Sequence, residues 1–229
     1  MYIINFIYSS FLQMILLSLL GLLFVDILIY FTHKNYSRKT HWFLLHSIMN
    51  ICTFYSIIPD IFYSLYNWNQ ILSIEPDNWW GYAIVIAGHI YHCLAYELNS
   101  ADIFHHVTMF VFAVPYTLIY QPYLMSNLPI LTINGIPGAI DYFLLYLVKI
   151  GKINSDMEKY INVHLNIWFR CPISLLIVGG TIPVLIQLQK WESIPCMLAI
   201  AWNSIYFQYI TVRDVYYKFG LVDGKIIKP

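Results

Sequence analysis

SSFLQMILLSLLGLLFVDILIYF, residues 9–31, decides the class of this protein, because its length and chemistry leave one reading open. A helix rises about 1.5 Å per residue, so crossing a hydrocarbon core about 30 Å thick takes roughly 20 mostly apolar residues. The stretch satisfies that requirement with Asp26 as its one charged residue. No basic region precedes it and no small-residue cleavage site follows, so it reads as a retained anchor rather than a removed signal peptide. Further stretches of the same kind lie at about 42–66, 80–99, 102–121, 124–148, 165–188 and 195–213. The fourth and fifth are separated only around Gln121-Pro122-Tyr123, which predicts a tight helical hairpin, and the fifth is interrupted by Gly135, Pro137 and Gly138. The expectation is an all-α, polytopic membrane bundle of about seven helices around a polar or lipid cavity. Residues 1–34 form an anchor, 35–215 a transmembrane domain and 216–229 a cytoplasmic tail.

Composition agrees. Of the 229 residues 59% are hydrophobic, 18% aromatic and only 10% charged. A water-soluble domain carries roughly 25% charged residues, so too little polar side chain is present to cover a water-facing surface. The net charge is zero, so nothing points to nucleic acid or another polyanionic partner, and the low charged fraction makes membrane lipids the expected partners. Cys52, Cys93, Cys171 and Cys196 have no paired spacing and read as small buried hydrophobes, not as a disulfide or metal framework. Trp42, Trp68, Trp79, Trp80 and Trp191 fall at span ends, where interfacial tryptophans are expected. Lysine and arginine resist translocation, which orients the bundle. With the N-terminus outside, ten of the twelve basic residues fall on the cytosolic side, from Lys34, Arg38 and Lys39 to Lys225 and Lys228. The tail is then cytoplasmic.

Ionisable groups within lipid cost at least about 2.5 kcal/mol each, so a concentration of them needs a reason. Asp26, His46, His92, Glu97, Asp102, His105, His106, Asp141, His164 and Arg170 all fall toward the cytosolic ends of their spans, which predicts a polar cavity reachable from the cytosol. The densest run is Asp102-Ile103-Phe104-His105-His106. At 100° per residue, Asp102 lies about 60° from His105 and about 40° from His106, so its carboxylate is expected to hold one ring in a defined tautomer. His89 and His92 are also about 60° apart and share a face; Glu97 lies more than a turn deeper. Only two or three residues join the third and fourth spans, which sets the two histidine pairs within reach of each other. His41 is expected at the interface, Arg170 is expected to pair with Asp141 or Glu97, and the Gly179-Gly180 pair with Pro183 is expected to permit close helix approach or a kink.

Three stretches carry a resemblance: residues 39–47 (KTHWFLLHS), the Asp102-x-x-His105-His106 run with its apolar continuation, and Gly135-Ile136-Pro137-Gly138-Ala139-Ile140-Asp141-Tyr142. Together with the span count they resemble the TLC domain family (TRAM, longevity-assurance and CLN-eight-like proteins) over residues 35–215. The chain is nearer the branch outside the ceramide synthases, since Asp141 stands in the later motif region without a histidine beside it. The resemblance implies an endomembrane protein, of the endoplasmic reticulum or a related membrane, engaged in lipid metabolism. It implies acyl transfer from acyl-CoA, as co-substrate, or control of membrane lipid composition, with no resident cofactor or metal. Carried over, His105 and His106 supply the base and stabilise the oxyanion, and Asp102 and Asp141 support them. His89, His92, Glu97, Arg170 and His46 are then the candidate substrate-contacting residues.

Two other readings stand beside it. Membrane di-iron hydroxylases and desaturases use HxxxxH and HxxHH sets. His41-x4-His46 fits the first set; His89-x-x-His92 is followed by Cys93, and Asp102 holds the leading position before His105-His106. The other is a non-enzymatic lipid-binding receptor or chaperone whose histidines line a pocket.

Overall fold

The computed structural model describes residues 2–71, 73–76, 78–115, 124–219, 221–222 and 225–226. Among these the chain is helical throughout apart from one small pairing in the tail. The helices are α1 (Tyr2–Thr32), α2 (Arg38–Tyr66), α3 (Trp80–Ala95), α4 (Ser100–Thr108), α5 (Asn127–Ile133), α6 (Ile136–Lys149), α7 (Ser155–Leu165), α8 (Cys171–Gln187) and α9 (Ile194–Phe219). A π turn extends α4 through Met109–Ala113, and a second, Asn166–Arg170, joins α7 to α8. The strands β1 (Leu221–Val222) and β2 (Lys225–Ile226) pair antiparallel after α9.

Local chemistry sets the boundaries. The Ser37 hydroxyl accepts from the Thr40 N–H and opens α2, and the Asn154 side chain does the same for Met157 at the start of α7. Asp156 and Glu158 in the first turn of α7 suit the positive end of the helix dipole. Gly151, at φ +72°, ends α6 in the left-handed region that costs a glycine least. The interruption expected in the fifth span falls at Asn134-Gly135, between α5 and α6, with Pro137 in the first turn of the new helix.

Four helical segments are long and apolar enough to cross a membrane: Ser10–Thr32, Arg38–Tyr66, Asn127–Lys149 and Ser155–Gln187. Among the described residues, four of the seven expected spans are met on length and composition. α3, at 16 residues, is shorter than a crossing needs. α9 is longer but carries Arg213, Asp214 and Lys218. The continuation of the fourth span, and the hairpin around Gln121-Pro122-Tyr123, lie outside the described residues. The outer surface is apolar: Leu20, Phe24, Phe31, Tyr55, Leu176 and Trp202 are all exposed, and only 22% of the most apolar window of Ser10–Thr32 is buried. Contiguous apolar surface on this scale requires an apolar solvent.

α2 is the central element, packed on α1, α3 and α6. Its face of Trp42, Phe43, Leu45 and Met49 meets Leu22 and Ile29 of α1, Ala87 and Tyr91 of α3, and Tyr146 of α6. A β-carbon on Gly88 would fall 2.1 Å from the Met49 sulfur, so the glycine is what lets α2 and α3 approach so closely. A second core joins Ile71, Met125 and Leu128 to Ile177, Val178, Leu185, Met197 and Ile200. There Trp68 donates from Nε1 to the Gly180 carbonyl at 2.9 Å, and its ring fills the space a β-carbon of residue 180 would need. The expected close approach at Gly180 is therefore to a tryptophan ring.

Tertiary packing corrects several expectations. Trp42 is buried and Trp68 packs on α8; only Trp191 of these three is exposed. His41 is buried, its Nε2 donating to the His33 carbonyl at 2.9 Å just beyond the end of α1. Cys52 and Cys93 are exposed and Cys196 half-buried, leaving Cys171 as the one buried thiol.

Candidate functional site

Asn99 and Asp102 bond reciprocally at the start of α4. The Asn99 side chain accepts from the Asp102 N–H, and the Asp102 carboxylate accepts from the Asn99 N–H, both at 3.0 Å. This capping box fixes where α4 begins, one short connection after α3 ends. It also gives Asp102 a different role from the one expected: its carboxylate accepts from the Asn99 N–H and, among the described residues, makes no hydrogen bond to either imidazole. What holds the two rings is a second pair of histidines.

α3 and α4 lie side by side, and their histidines meet in matched pairs. His89 Nε2 and His105 Nε2 are 3.0 Å apart; His92 Nδ1 and His106 Nε2 are 2.9 Å apart. The ring centroids of the four are separated by 5.0 Å (His89–His105), 5.1 Å (His89–His106), 5.0 Å (His92–His106) and 5.6 Å (His105–His106). His46 of α2 completes the group, stacked on Tyr142 of α6 at 3.7 Å, while Trp42 stacks on His92 at 3.9 Å. Four helices thus supply one cluster.

The bonding fixes protons. His89 Nδ1 lies 2.8 Å from the Val85 carbonyl, which can only accept, so that nitrogen carries hydrogen. A neutral His89 then presents a lone pair at Nε2, and His105 must donate from its own Nε2. This leaves a lone pair on His105 Nδ1, on a residue that remains exposed. The buried His106 ring has an unpartnered Nδ1, and so does His46. If His92 donates to His106, the free His106 nitrogen is an N–H donor. In that tautomer one base and one donor stand on adjacent residues of one helix.

The cluster surrounds a chamber of about 40 Å³, lined also by Gly88 and Asp102. Trp42, His92, Asp102 and Tyr142 are shared between that chamber and a larger cavity of about 750 Å³. The larger cavity is bordered by Arg38, Lys39, Tyr96, Glu97 and Asn99. Arg38 is held by Asp26, a residue the sequence offers only as one more intramembrane carboxylate. The guanidinium donates twice to its carboxylate, at 3.1 and 2.8 Å, and the hydroxyls of Tyr91 and Tyr96 each donate at 2.7 Å. The periodicity of α1 gives no sign of this junction, because all three partners come from other elements.

Asp141 and Arg170 are not part of the imidazole cluster. They pair with each other at 3.8 Å, as expected, and Asn162 donates to Asp141 at 2.9 Å. Asn162 also donates to Glu158 and, through its oxygen, accepts from Asn166 at the π turn. This is a separate polar network between α6 and α7, joined to the histidines only by the neighbouring Tyr142. Among the described residues, no group of three or more His, Cys, Asp or Glu side chains is arranged to hold a metal ion.

Fold and site together define an all-helical, membrane-compatible protein with an imidazole cluster beside a polar cavity. Compared with protein-family models, curated proteins and solved structures, the chain matches none.

Proposed function

We propose that this is a lipid-handling integral membrane protein of the TLC type, which transfers an acyl group from acyl-CoA to a lipid amine or hydroxyl at the paired histidines. The observation that carries the reading is the His89–His105 and His92–His106 pairing around a small chamber that shares Trp42, His92, Asp102 and Tyr142 with the 750 Å³ cavity. In this reading the helical bundle sits in the endoplasmic reticulum or a related membrane, with the C-terminus and the cavity mouth on the cytosolic side. A cytosolic thioester then reaches the imidazoles without crossing the bilayer.

His105 Nδ1 removes a proton from the attacking nitrogen or oxygen as that atom bonds to the thioester carbon. The His106 N–H faces the oxyanion. The carbon–sulfur bond breaks, the proton on His105 passes to the departing thiolate, and acyl-lipid and free thiol result. Lys39 and Arg38 at the mouth attract the anionic part of the donor. Tyr142 and His46 wall the reacting atoms, and Glu97 stands at the rim. Asp141 and Arg170 act on the shape of α6 and α7, not on the acyl group.

The test is lipid profiling of cells expressing the wild-type chain against the His105→Ala/His106→Ala variant. A profile that responds to the wild type and not to the variant is expected. Identical ceramide and phospholipid profiles would remove the acyl-transfer reading in favour of a non-enzymatic lipid receptor. The chamber favours one second reading, a metal-dependent lipid hydroxylase, because about 40 Å³ suits a single ion or water surrounded by five imidazoles. Base catalysis is put first because it needs only the paired imidazoles already in contact. Stoichiometric iron in the purified protein would reverse the order.

A further inference from the structure

The 750 Å³ cavity carries charge of both signs, and the two signs come from different elements. Lys39 lies in the first turn of α2, a helix of 29 residues whose positive end adds to the ammonium. Arg38 stands next to it with its guanidinium bound to Asp26, so that pair is neutral. The carboxylates of the cavity wall are Glu97, in the link between α3 and α4, and Asp102, in the first turn of α4. Lys39 and Glu97 are exposed and, among the described residues, neither forms an ion pair with any partner. Asp102 accepts the Asn99 N–H through Oδ2, and its Oδ1 has no hydrogen-bond partner among the described residues. Opposite charges that share a cavity without pairing favour a ligand charged at both ends. An anion gains at Lys39 but is repelled by two carboxylates, and a cation meets the reverse; a zwitterion satisfies both and brings no net charge.

The rest of the wall decides the kind of cation. A quaternary ammonium has no N–H to donate and is bound by open aromatic faces. Here Trp42 is stacked on His92 at 3.9 Å, Tyr142 is stacked on His46 at 3.7 Å, and the Arg38 guanidinium lies 4.4 Å over the Tyr96 ring. Those rings are already engaged, whereas the two carboxylates are acceptors that a primary ammonium meets with charge-assisted hydrogen bonds. At the other end, the Lys39 ammonium beside the N–H groups of the first turn of α2 suits a phosphate. We infer that the cavity seats the headgroup of a phospholipid of the phosphoethanolamine type, with its phosphate at Lys39 and its primary ammonium at Glu97 and Asp102. Asp102 also lines the imidazole chamber, so the ammonium end lies toward the histidines. The inference rests on the lipid-handling reading of the cavity but not on acyl transfer.

The test is a competition on the full-length protein in detergent micelles, exchanged against an equimolar mixture of phosphatidylethanolamine, phosphatidylcholine and phosphatidylglycerol with identical acyl chains. The lipid retained after purification is counted by mass spectrometry. Phosphatidylethanolamine is expected to exceed each of the others about tenfold, the worth of one charge-assisted hydrogen bond at a half-open site. Glu97→Gln removes a charge that draws the ammonium and repels an anion, so the ratio of phosphatidylethanolamine to phosphatidylglycerol is expected to fall about tenfold. Lys39→Gln is expected to lower retention of all three, because all carry the phosphate. Both side chains are exposed, so both variants are expected to fold. Equal retention of the three lipids, or ratios indifferent to Glu97→Gln, overturns the inference. Binding of chain-free glycerophosphoethanolamine with no lipid retained also overturns the phospholipid assignment, and with it the lipid-handling reading. Preferential retention of phosphatidylethanolamine together with an unchanged lipid profile in the double-histidine comparison keeps the inference and removes acyl transfer.

Discussion

Replacing Asp26 with alanine tests whether one carboxylate ties α1 to the rest of the bundle and shapes the cavity mouth. Asp26 is 4% exposed and accepts four hydrogen bonds: two from Arg38 and one each from Tyr91 and Tyr96. Breaking a buried ion pair by removing one partner costs about 3–5 kcal/mol. The Arg38 side chain is 46% exposed and regains water once released, so the expected loss is discounted to about 2–4 kcal/mol. Tyr91→Phe removes a single hydrogen bond to the charged oxygen and costs about 1.5–3 kcal/mol. In the Asp26→Ala background that hydroxyl has already lost its acceptor, so the second change costs close to nothing. A double-mutant cycle therefore returns a coupling of about 1.5–3 kcal/mol. The measurement is a denaturant titration in mixed micelles followed by tryptophan fluorescence, with Asp26→Asn as the near-isosteric control. Additive losses, or an Asp26→Ala effect no larger than that of Tyr91→Phe, would refute the argument. Arg38 and Tyr96 also border the 750 Å³ cavity, so ligand binding there is expected to fall with stability in Asp26→Ala.

Other consequences follow from single contacts. Gly88→Ala forces the buried Met49 side chain to move and is expected to cost about 1–3 kcal/mol, partly restored by the shorter Met49→Ala, as read from unfolding midpoints of the single and double variants. Asp102→Ala should lose about 0.5–2 kcal/mol as the α4 cap opens, while Asp102→Asn, which keeps an acceptor for the Asn99 N–H, should stay near wild type. A larger loss in Asp102→Asn would point to a charge requirement in place of a capping role. If acyl transfer occurs, His89→Ala should lower turnover by about 10²–10⁴-fold while leaving KM for the acyl donor nearly unchanged, because it frees the His105 tautomer without touching the cavity mouth. Gly180→Val should displace the Trp68 ring and shift its emission, and an unchanged spectrum would contradict the packing seen at α8.

The histidine pairs show how far periodicity carries. His89 and His92 share a face because they are three residues apart, and the short link from Ala95 to Ser100 forces α3 and α4 together. Convergence was therefore legible. The break at Gly135 was legible for a similar reason, since glycine and proline act locally. Asp102 was misread because angle on a helix says which groups share a face, whereas capping depends on the residue three positions earlier. The burial of Trp42 and His41 is not legible from their position at a span end, because it comes from the packing of other segments against α2.

Length, low charge and long apolar runs settle by themselves that this is a helical protein suited to lipid, because those properties are summed along the chain and need no partner. The neighbours of Asp26, the stacking of His46 on Tyr142 and the presence of Lys39 and Glu97 on one cavity wall are set by helix rotation and approach. Those depend on how side chains from several distant segments interdigitate, and no local pattern in one segment encodes what the others bring to it.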